Sequence, residues 1–320
     1  MQRPNHQAPR PTRRPVSERQ RASARQGGLP DTLEPLYERV RHELMRMALE
    51  APLSDSEPLP PEPRLMERFG VSRGTLRRAI DEMARDGLLS VEQGRGTFVN
   101  QEERARRVVW ERLAEVARPD SRFDMDLKHF VPDFSDRSKA DRAVRGQPAW
   151  TAARTVFIAP DNSTEDLRRQ AMAEGKRLLV PTYGLRRGFV RIEGAAIAEA
   201  DRAMAATLDG MERFGKRIGP ADLRSVGRVE LVVTGATAVT TDGRHIGGGQ
   251  RYLAMEWALL VEQGLVDDRV PVVAVVHDCQ VIDERIEADP DCMVDTIVTP
   301  TRVIQCSAGG TITALRGRRK

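Results

Sequence analysis

Cysteine is scarce in this chain. There are three in 320 residues, Cys279, Cys292 and Cys306. Their number is odd and their spacing fits no metal-ligand pattern, so neither a disulfide framework nor a zinc site is expected. They read as reduced thiols packed like small apolar side chains. Long apolar runs are missing too, and nothing approaches the ~18 residues of a membrane span. The basic N-terminus has no apolar stretch behind it and does not read as a secretory signal. No Ser/His/Asp arrangement stands out. What remains is a composition of 40% hydrophobic and 31% charged residues, ordinary for a globular protein. The length leaves room for two domains at ~100–200 residues each.

Charge is unevenly distributed. The net value is +4, yet residues 1–27 alone hold seven arginines against one glutamate, so the remainder is slightly acidic. This stretch is rich in Pro, Gln and Ser and cannot bury a core. Residues 1–28 are expected to be a disordered basic tail, either a solvated arm or an arm drawn to DNA phosphates. The end, 307–320 with LRGRRK at its close, reads as a second basic tail.

A helical pattern begins after Asp31, with Leu36, Val40, Leu44 and Met47 at helical spacing; Pro52 and SEPLPPEP end it. Residues 62–69 predict a short helix, Gly70 and Val71 a turn, and Ser72 the N-cap of a second helix. In that helix Leu76, Ala79, Ile80 and Met83 share a core-facing side. Arg73, Arg77 and Arg78 lie off it near the helix start, where a recognition helix presents side chains to the major groove. The arginine fork matches a guanine edge or a phosphate. Gly87 stops the helix, and Leu88–Val91 and Thr97–Val99 predict a hairpin with Arg95 at its tip.

LPPEPRL, FGVSRGTLRRAID, DGLL and QGRGTFV, in this order, closely resemble the winged helix-turn-helix of the GntR family of bacterial transcriptional regulators. The resemblance covers about 29–100. It implies DNA contacts from Arg73 and Arg77, with Thr75 between them, and from the wing residues Gln93, Gly94 and Arg95. The family often has arginine where Pro63 stands and a small hydroxyl where Gly74 stands. Such domains usually bind as dimers on half-sites about one helical turn apart.

From 101 onward, short apolar runs alternate with helical segments. TVFIA (155–159), RLLVP (177–181), VELVV (229–233), VPVVAVV (270–276) and VDTIVT (294–299) are almost continuously apolar, as strands buried on both faces are. Amphipathic stretches at 163–175, 194–208 and 251–264 lie between them. The pattern predicts an α/β domain, a mostly parallel sheet flanked by helices, with ligands at the carboxyl ends of the strands. GGGQRY (247–252) precedes the third helix. Taken alone it fits a plain turn, or a loop whose glycines and helix N-terminus hold an anion.

VELVVTGATAVTTDGRHIGGGQRYLAMEW, PVVAVVHDCQV and VDTIVTPTRVI, with VFIAPDNSTEDLRRQA and VPTYGLRRGF before them, form a set. It resembles the 5-formyltetrahydrofolate cyclo-ligase family, on the branch of methenyltetrahydrofolate synthetase domain-containing proteins, over about 106–306. The resemblance implies a Rossmann-like α/β sandwich related to the sugar-phosphate isomerase and CoA-transferase folds. It also implies a phosphate site built from a lysine, an arginine, a GxGxGY loop and an acidic residue two positions past the tyrosine. The lysine position holds Glu102 here and the arginine is Arg106. Gly247, Gly249 and Tyr252 keep the loop pattern, whereas the last glycine is Arg251 and the acid is Ala254, with Glu256 one turn along. Arg244, Gln280, Thr299 and Arg302 are further ligand candidates. His277 and Asp278 read as an acid/base or metal couple, or as a structural turn.

These readings lead to one expectation. The chain is a GntR-type regulator that binds double-stranded operator DNA as a homodimer. Its cyclo-ligase-like domain senses a small anionic effector, folate- or nucleotide-like. No metal and no catalytic residue is assigned, and ATP and Mg²⁺ enter only if cyclo-ligase activity is retained. The alternative is an ATP-dependent enzyme carrying a DNA-binding module. Location is expected to be cytoplasmic, on the bacterial nucleoid when DNA-bound, with no membrane partner.

Overall fold

Apolar residues four apart build the first helix. In α1 (Leu36–Glu50), Val40, Leu44 and Ala48 are buried, while Leu36, expected on the same stripe, stays exposed. The structure is a computed structural model describing residues 34–50, 57–120, 122, 125–284, 286 and 292–306; the expected tails at 1–28 and 307–320 lie outside the described residues. Two compact units are present, meeting along the chain between Asn100 and Gln101.

The first unit continues with α2 (Glu62–Phe69), closed by Gly70 in the left-handed region at φ 65°. Then comes α3 (Arg73–Arg85), whose N-cap Ser72 accepts from the Thr75 amide at 3.2 Å. Leu76, Ala79, Ile80 and Met83 face inward and meet Val40, Leu44 and Leu65 in one core. β1 (Leu89–Glu92) and β2 (Gly96–Val99) pair antiparallel. Gly94 turns between them at φ 78°.

The second unit begins with α4 (Gln101–Leu113), followed by α5 (Arg137–Arg145) and α6 (Pro148–Ala152). Then come β3 (Thr155–Ile158), α7 (Glu165–Ala173), β4 (Arg177–Pro181) and β5 (Phe189–Glu193). They are followed by α8 (Arg202–Ala206), α9 (Met211–Phe214), β6 (Lys216–Ile218) and β7 (Leu231–Thr234). Next are β8 (Ala238–Thr240), β9 (Arg244–Ile246), α10 (Tyr252–Glu262) and β10 (Val272–Val275). The last described strands are β11 (Val281–Ile282), β12 (Cys292–Met293), β13 (Thr296–Val298) and β14 (Val303–Gln305).

Eight strands form the main sheet in the order β14-β13-β10-β7-β3-β4-β5-β6. The five from β13 to β4 run parallel; β14, β5 and β6 add antiparallel edges. Alternation along β3 explains its unbroken apolar run: Phe157 enters the core on one face, Val156 and Ile158 the core on the other. A second sheet, β11-β8-β9-β12, was not foreseen. Its strands have two or three residues, too few for a period to register. Helix α4 packs on it through Ala105, Val109 and Leu113 against Ala238, Ile246 and Ile282.

The helix expected over 194–208 is not continuous. Two 3-10 turns (Gly194–Ala196 and Glu199–Asp201) precede the five-residue α8. The alanine-rich sequence favours helix, but Ile197 is pulled into the core at φ −90°, ψ 118°, so packing overrides propensity.

Sequence order explains where ligands can enter. From β3 the chain winds one way to β4, and from β7 the other way to β10 and β13. The strand order therefore reverses between β3 and β7, and their carboxyl ends splay apart into a crevice. Arg168 on α7 fixes this edge. It is 1% exposed and donates to the carbonyls of Ala159 at 2.6 Å, Asp161 at 3.1 Å and Ala206 at 2.7 Å. Burial lowers its pKa to about 10, which leaves it cationic at neutral pH. Arg168→Leu leaves the Ala206 carbonyl without this donor, while Thr164 still serves those of Ala159 and Asp161, at a cost of about 1–3 kcal/mol. All three tryptophans, Trp110, Trp150 and Trp257, lie in the second unit. Tryptophan fluorescence in urea should therefore register the lowered midpoint directly.

Candidate functional site

Two sites emerge, one in each unit. In the first, Arg73 and Arg77 stand one turn apart at the start of α3, exposed at 65% and 54%. Both donate to Glu62 on α2, at 3.0 Å and 3.1 Å. Burial alone would raise the Glu62 pKa, but the two guanidiniums hold it below the usual carboxylate range. Glu62 thus orients both arginines before any partner arrives. Arg78 takes another direction, with its guanidinium 3.8 Å from the Tyr37 ring centre and an ion pair to Glu82. Thr75 turns back to the cap, its Oγ1 3.0 Å from Ser72 Oγ. Gln93, Gly94 and Arg95 are exposed at the hairpin tip, and Arg95 pairs with Glu92.

In the second unit a cavity of about 310 Å³ opens at the strand-order reversal. Ala159, Pro160 and Asp161 line it from the end of β3, Thr234 and Gly235 from the end of β7. The loop 247–251 and the first turn of α10 close another side. Exposed Lys128 and Arg186, with half-buried Arg251, form a cationic mouth beside exposed His129. Tyr183 and Tyr252 meet edge to face at 6.0 Å and supply an aromatic wall.

Helix α10 starts without a side-chain cap, because its N-cap Arg251 sits at φ 54°. The amides of its first turn are therefore available to an anion. The loop before it is held from behind. Arg106 on α4 is buried and donates to the Gly247 carbonyl at 2.7 Å, with its other nitrogens on Glu102 and Glu103. Glu102, at the lysine position of the resembled pattern, is thus neutralised by Arg106. Gly249 adopts φ 94° with its Cα face toward the Arg106 guanidinium, a conformation that suits glycine.

The floor is acidic. Asp161 accepts from the Gly235 amide at 2.8 Å. Burial raises its pKa, against that amide and the charges of His245 and Arg168. Burial, with the Asp161 charge beside it, pushes Glu256 up to about 8. His245 reaches the Gly235 carbonyl through Nε2 at 2.8 Å, so β9 braces the same corner.

Of the residues singled out by sequence, the structure brings Gly247, Arg251, Tyr252 and Glu256 to the cavity, with Arg106 and Gly249 directly behind. Arg244 points elsewhere, toward Asp242. Gln280 is an internal tie: its Nε2 donates to the Ala236 carbonyl at 2.6 Å and its Oε1 accepts from the His277 amide. The bond to the His277 amide, with His277 Nδ1 accepting from the Cys279 amide at 3.3 Å, caps a 3-10 turn at Asp278–Gln280. HDCQV forms a turn in which His277 packs on Phe134. Thr299 and Arg302 gather on Asp278, at 2.6 Å and 3.6 Å, outside the cavity lining. Sequence reasoning missed Asp161, Tyr183 and the mouth residues Lys128, His129 and Arg186. Asp161 had a usable signal, since it follows a buried parallel strand at its carboxyl end.

Comparison with known proteins adds two family matches. Residues 99–300 match the 5-formyltetrahydrofolate cyclo-ligase family, and residues 36–99 match the bacterial regulatory proteins of the gntR family. Over 186 residues the chain is 38% identical to a methenyltetrahydrofolate synthase domain-containing protein of Bos taurus, covering 57% of this chain and 48% of that one. Over 66 residues it is 38% identical to the HTH-type transcriptional repressor NagR of Bacillus subtilis, covering 21% of this chain and 27% of that one. The chain therefore spans about half the length of the first relative. The NMR structure of Aquifex aeolicus 5,10-methenyltetrahydrofolate synthetase aligns at TM-score 0.43 and 17% identity, covering 69% of this chain and all of that one.

The floor carboxyls give a pH signature. An unfolded Glu titrates near ~4.3, and Glu256 in the fold near about 8. Between these values the folded state binds more protons than the unfolded state, so stability falls as pH rises. Asp161 contributes with the same sign. Urea midpoints measured across this window should decline, and Glu256→Gln should flatten the decline; an unchanged slope would remove Glu256 as its source.

Proposed function

The chain belongs to the 5-formyltetrahydrofolate cyclo-ligase family and carries a GntR-type DNA-binding domain ahead of it; from this premise we propose a ligand-responsive transcriptional regulator. The winged helix-turn-helix binds operator DNA, as a homodimer on paired half-sites. The cyclo-ligase-like domain binds a small anionic metabolite, folate- or nucleotide-like, in the cavity at the strand-order reversal. Ligand shifts DNA affinity only to the extent that it binds the DNA-competent and incompetent arrangements unequally. A tenfold preference is worth about 1.4 kcal/mol.

The observation that carries this reading is the loop at 247–251. It keeps a rigid anion cradle, with Arg106 on the Gly247 carbonyl and an uncapped α10 N-terminus. It does not keep the family's acidic position, which is Ala254. A cradle without that carboxylate favours holding an anion over turning it over.

The second reading is an ATP-dependent cyclo-ligase, favoured by Gly247 and Tyr252 at the cavity with Gly249 behind them. Mg²⁺ fits poorly: burial holds the two floor carboxyls toward their protonated forms, a poor donor set for a hard cation. The geometry supports no step through the metal.

Two measurements test these readings. The full chain should enrich specific sequences from a random duplex library, and Arg77→Ala should abolish the enrichment, losing roughly 1–3 kcal/mol for a bidentate base contact. Equal enrichment by the variant would place recognition elsewhere. With 5-formyltetrahydrofolate, ATP and Mg²⁺, the full chain should form no methenyltetrahydrofolate by absorbance, while one of the two compounds raises the melting temperature. Clear ATP-dependent turnover would establish the enzyme instead.

A further inference from the structure

At the β6 edge of the main sheet, two exposed arginines share one carboxylate. Glu212 on α9 is 12% exposed and accepts from Arg187 Nε at 2.8 Å and from Arg217 Nε at 2.7 Å. Arg187 and Arg217 are themselves 61% and 63% exposed. A guanidinium has five N–H donors, so the two oxygens of Glu212 leave most of them to solvent. The turn that presents Arg187 is fixed. Buried Thr182 accepts from the Arg187 amide at 3.0 Å and donates to the Gly188 carbonyl at 2.9 Å. Gly188 sits at φ 72°, where a Cβ would lie 2.7 Å from the Ile218 carbonyl oxygen, so the turn lies close against β6. Arg213 is exposed next to Glu212, as are Arg186 next to Arg187 and Lys216 next to Arg217. Stretches 186–188 and 211–218 thus hold five basic residues and one acidic. Asp209, just before α9, lies 3.8 Å from Arg122 instead.

Stability does not account for this patch, since ion pairs of exposed arginines add little. Charges on an edge strand deter strand addition, which covers Lys216 and Arg217 but neither Arg187 on a turn nor Arg213 on a helix. The first unit uses the same arrangement, with Glu62 holding Arg73 and Arg77 by their Nε atoms at the start of α3. One residue, Asn100, separates β2 of the wing from α4 along the chain. A duplex held by the wing therefore meets the second unit at high effective concentration. Resting on the DNA-binding reading above, we propose that Arg187, Arg213 and Arg217 form a second DNA surface, on the cyclo-ligase-like unit, which takes duplex phosphates outside the bases read by the winged helix. The chemistry recognised is the phosphodiester backbone, whose oxygens the guanidinium fork matches. Such contacts strengthen and position a complex without reading its sequence.

The salt dependence of DNA binding by the full chain tests this, on a duplex carrying the library-enriched sequence and on a scrambled duplex. The slope of log affinity against log salt loses about 0.9 for each phosphate contact removed. Arg187→Gln with Arg217→Gln should therefore flatten the slope by about two on both duplexes and leave the preference between them unchanged. Arg213→Gln, which leaves the Glu212 pairs in place, should flatten it by about one. Arg228→Gln with Arg269→Gln removes the same charge before the amino ends of β7 and β10, whereas Arg187 follows the carboxyl end of the parallel β4; this pair should leave the slope as it was. An unchanged slope in the patch variants overturns the proposal, as does an equal change in the Arg228 and Arg269 pair, which would reduce the effect to net charge. If the patch variant keeps its DNA slope but loses binding to poly-L-glutamate, the surface takes an acidic polypeptide and the proposal falls. Arg77→Ala separates the two readings: preference that it abolishes, with a slope the patch variants do not move, spares the winged helix and removes the patch alone. No binding to either duplex removes both.

Discussion

One buried guanidinium sets the geometry on which the second unit depends. Arg168 gathers the carbonyls of Ala159, Asp161 and Ala206, so the chain leaving β3 cannot wander. Thr164 donates to two of those carbonyls as well, and the guanidinium adds the charged donor that joins them to the third, on Ala206. The result is that Asp161 turns toward the end of β7, accepts the Gly235 amide and forms the floor of the crevice. Parallel strands create the opening by reversing their order; Arg168 decides which side chain occupies it.

The first unit solves an opposite problem. Its cations at the start of α3 are exposed, and long exposed side chains sample many rotamers. Glu62 limits them by accepting from both Arg73 and Arg77. The Arg106 arrangement in the second unit has the same logic turned inward. There Glu102 and Glu103 hold a guanidinium so that it serves a carbonyl, and the cation that seemed destined for a ligand supports the loop from behind.

Much of the architecture was legible because burial writes itself into sequence. Strands β3, β4, β7, β10 and β13 are buried on both faces, and their apolar runs announced them. Leu76, Ala79, Ile80 and Met83 announced α3 in the same way. The small second sheet was silent, since strands of two or three residues carry no period. Helix 194–208 misled because alanine reports propensity and says nothing of a core that wants Ile197. At the site, glycines and the tyrosine of the loop were readable as pattern. Thr299, Arg302 and Gln280 were also pattern, but their partners, Asp278 and the Ala236 carbonyl, are set by tertiary packing. Asp161 and Glu256 gained their character from desolvation, which no short motif encodes.

The unpaired acid at the cavity floor also bears on how this protein could be engineered. A buried carboxyl that nothing neutralises is a standing loss of stability, and an apolar side chain of similar volume at position 256 would recover it. Selection for heat tolerance alone would therefore reach Glu256 early and would be rewarded there. Heat-hardened descendants would keep their fold while losing the acidic floor of the cavity.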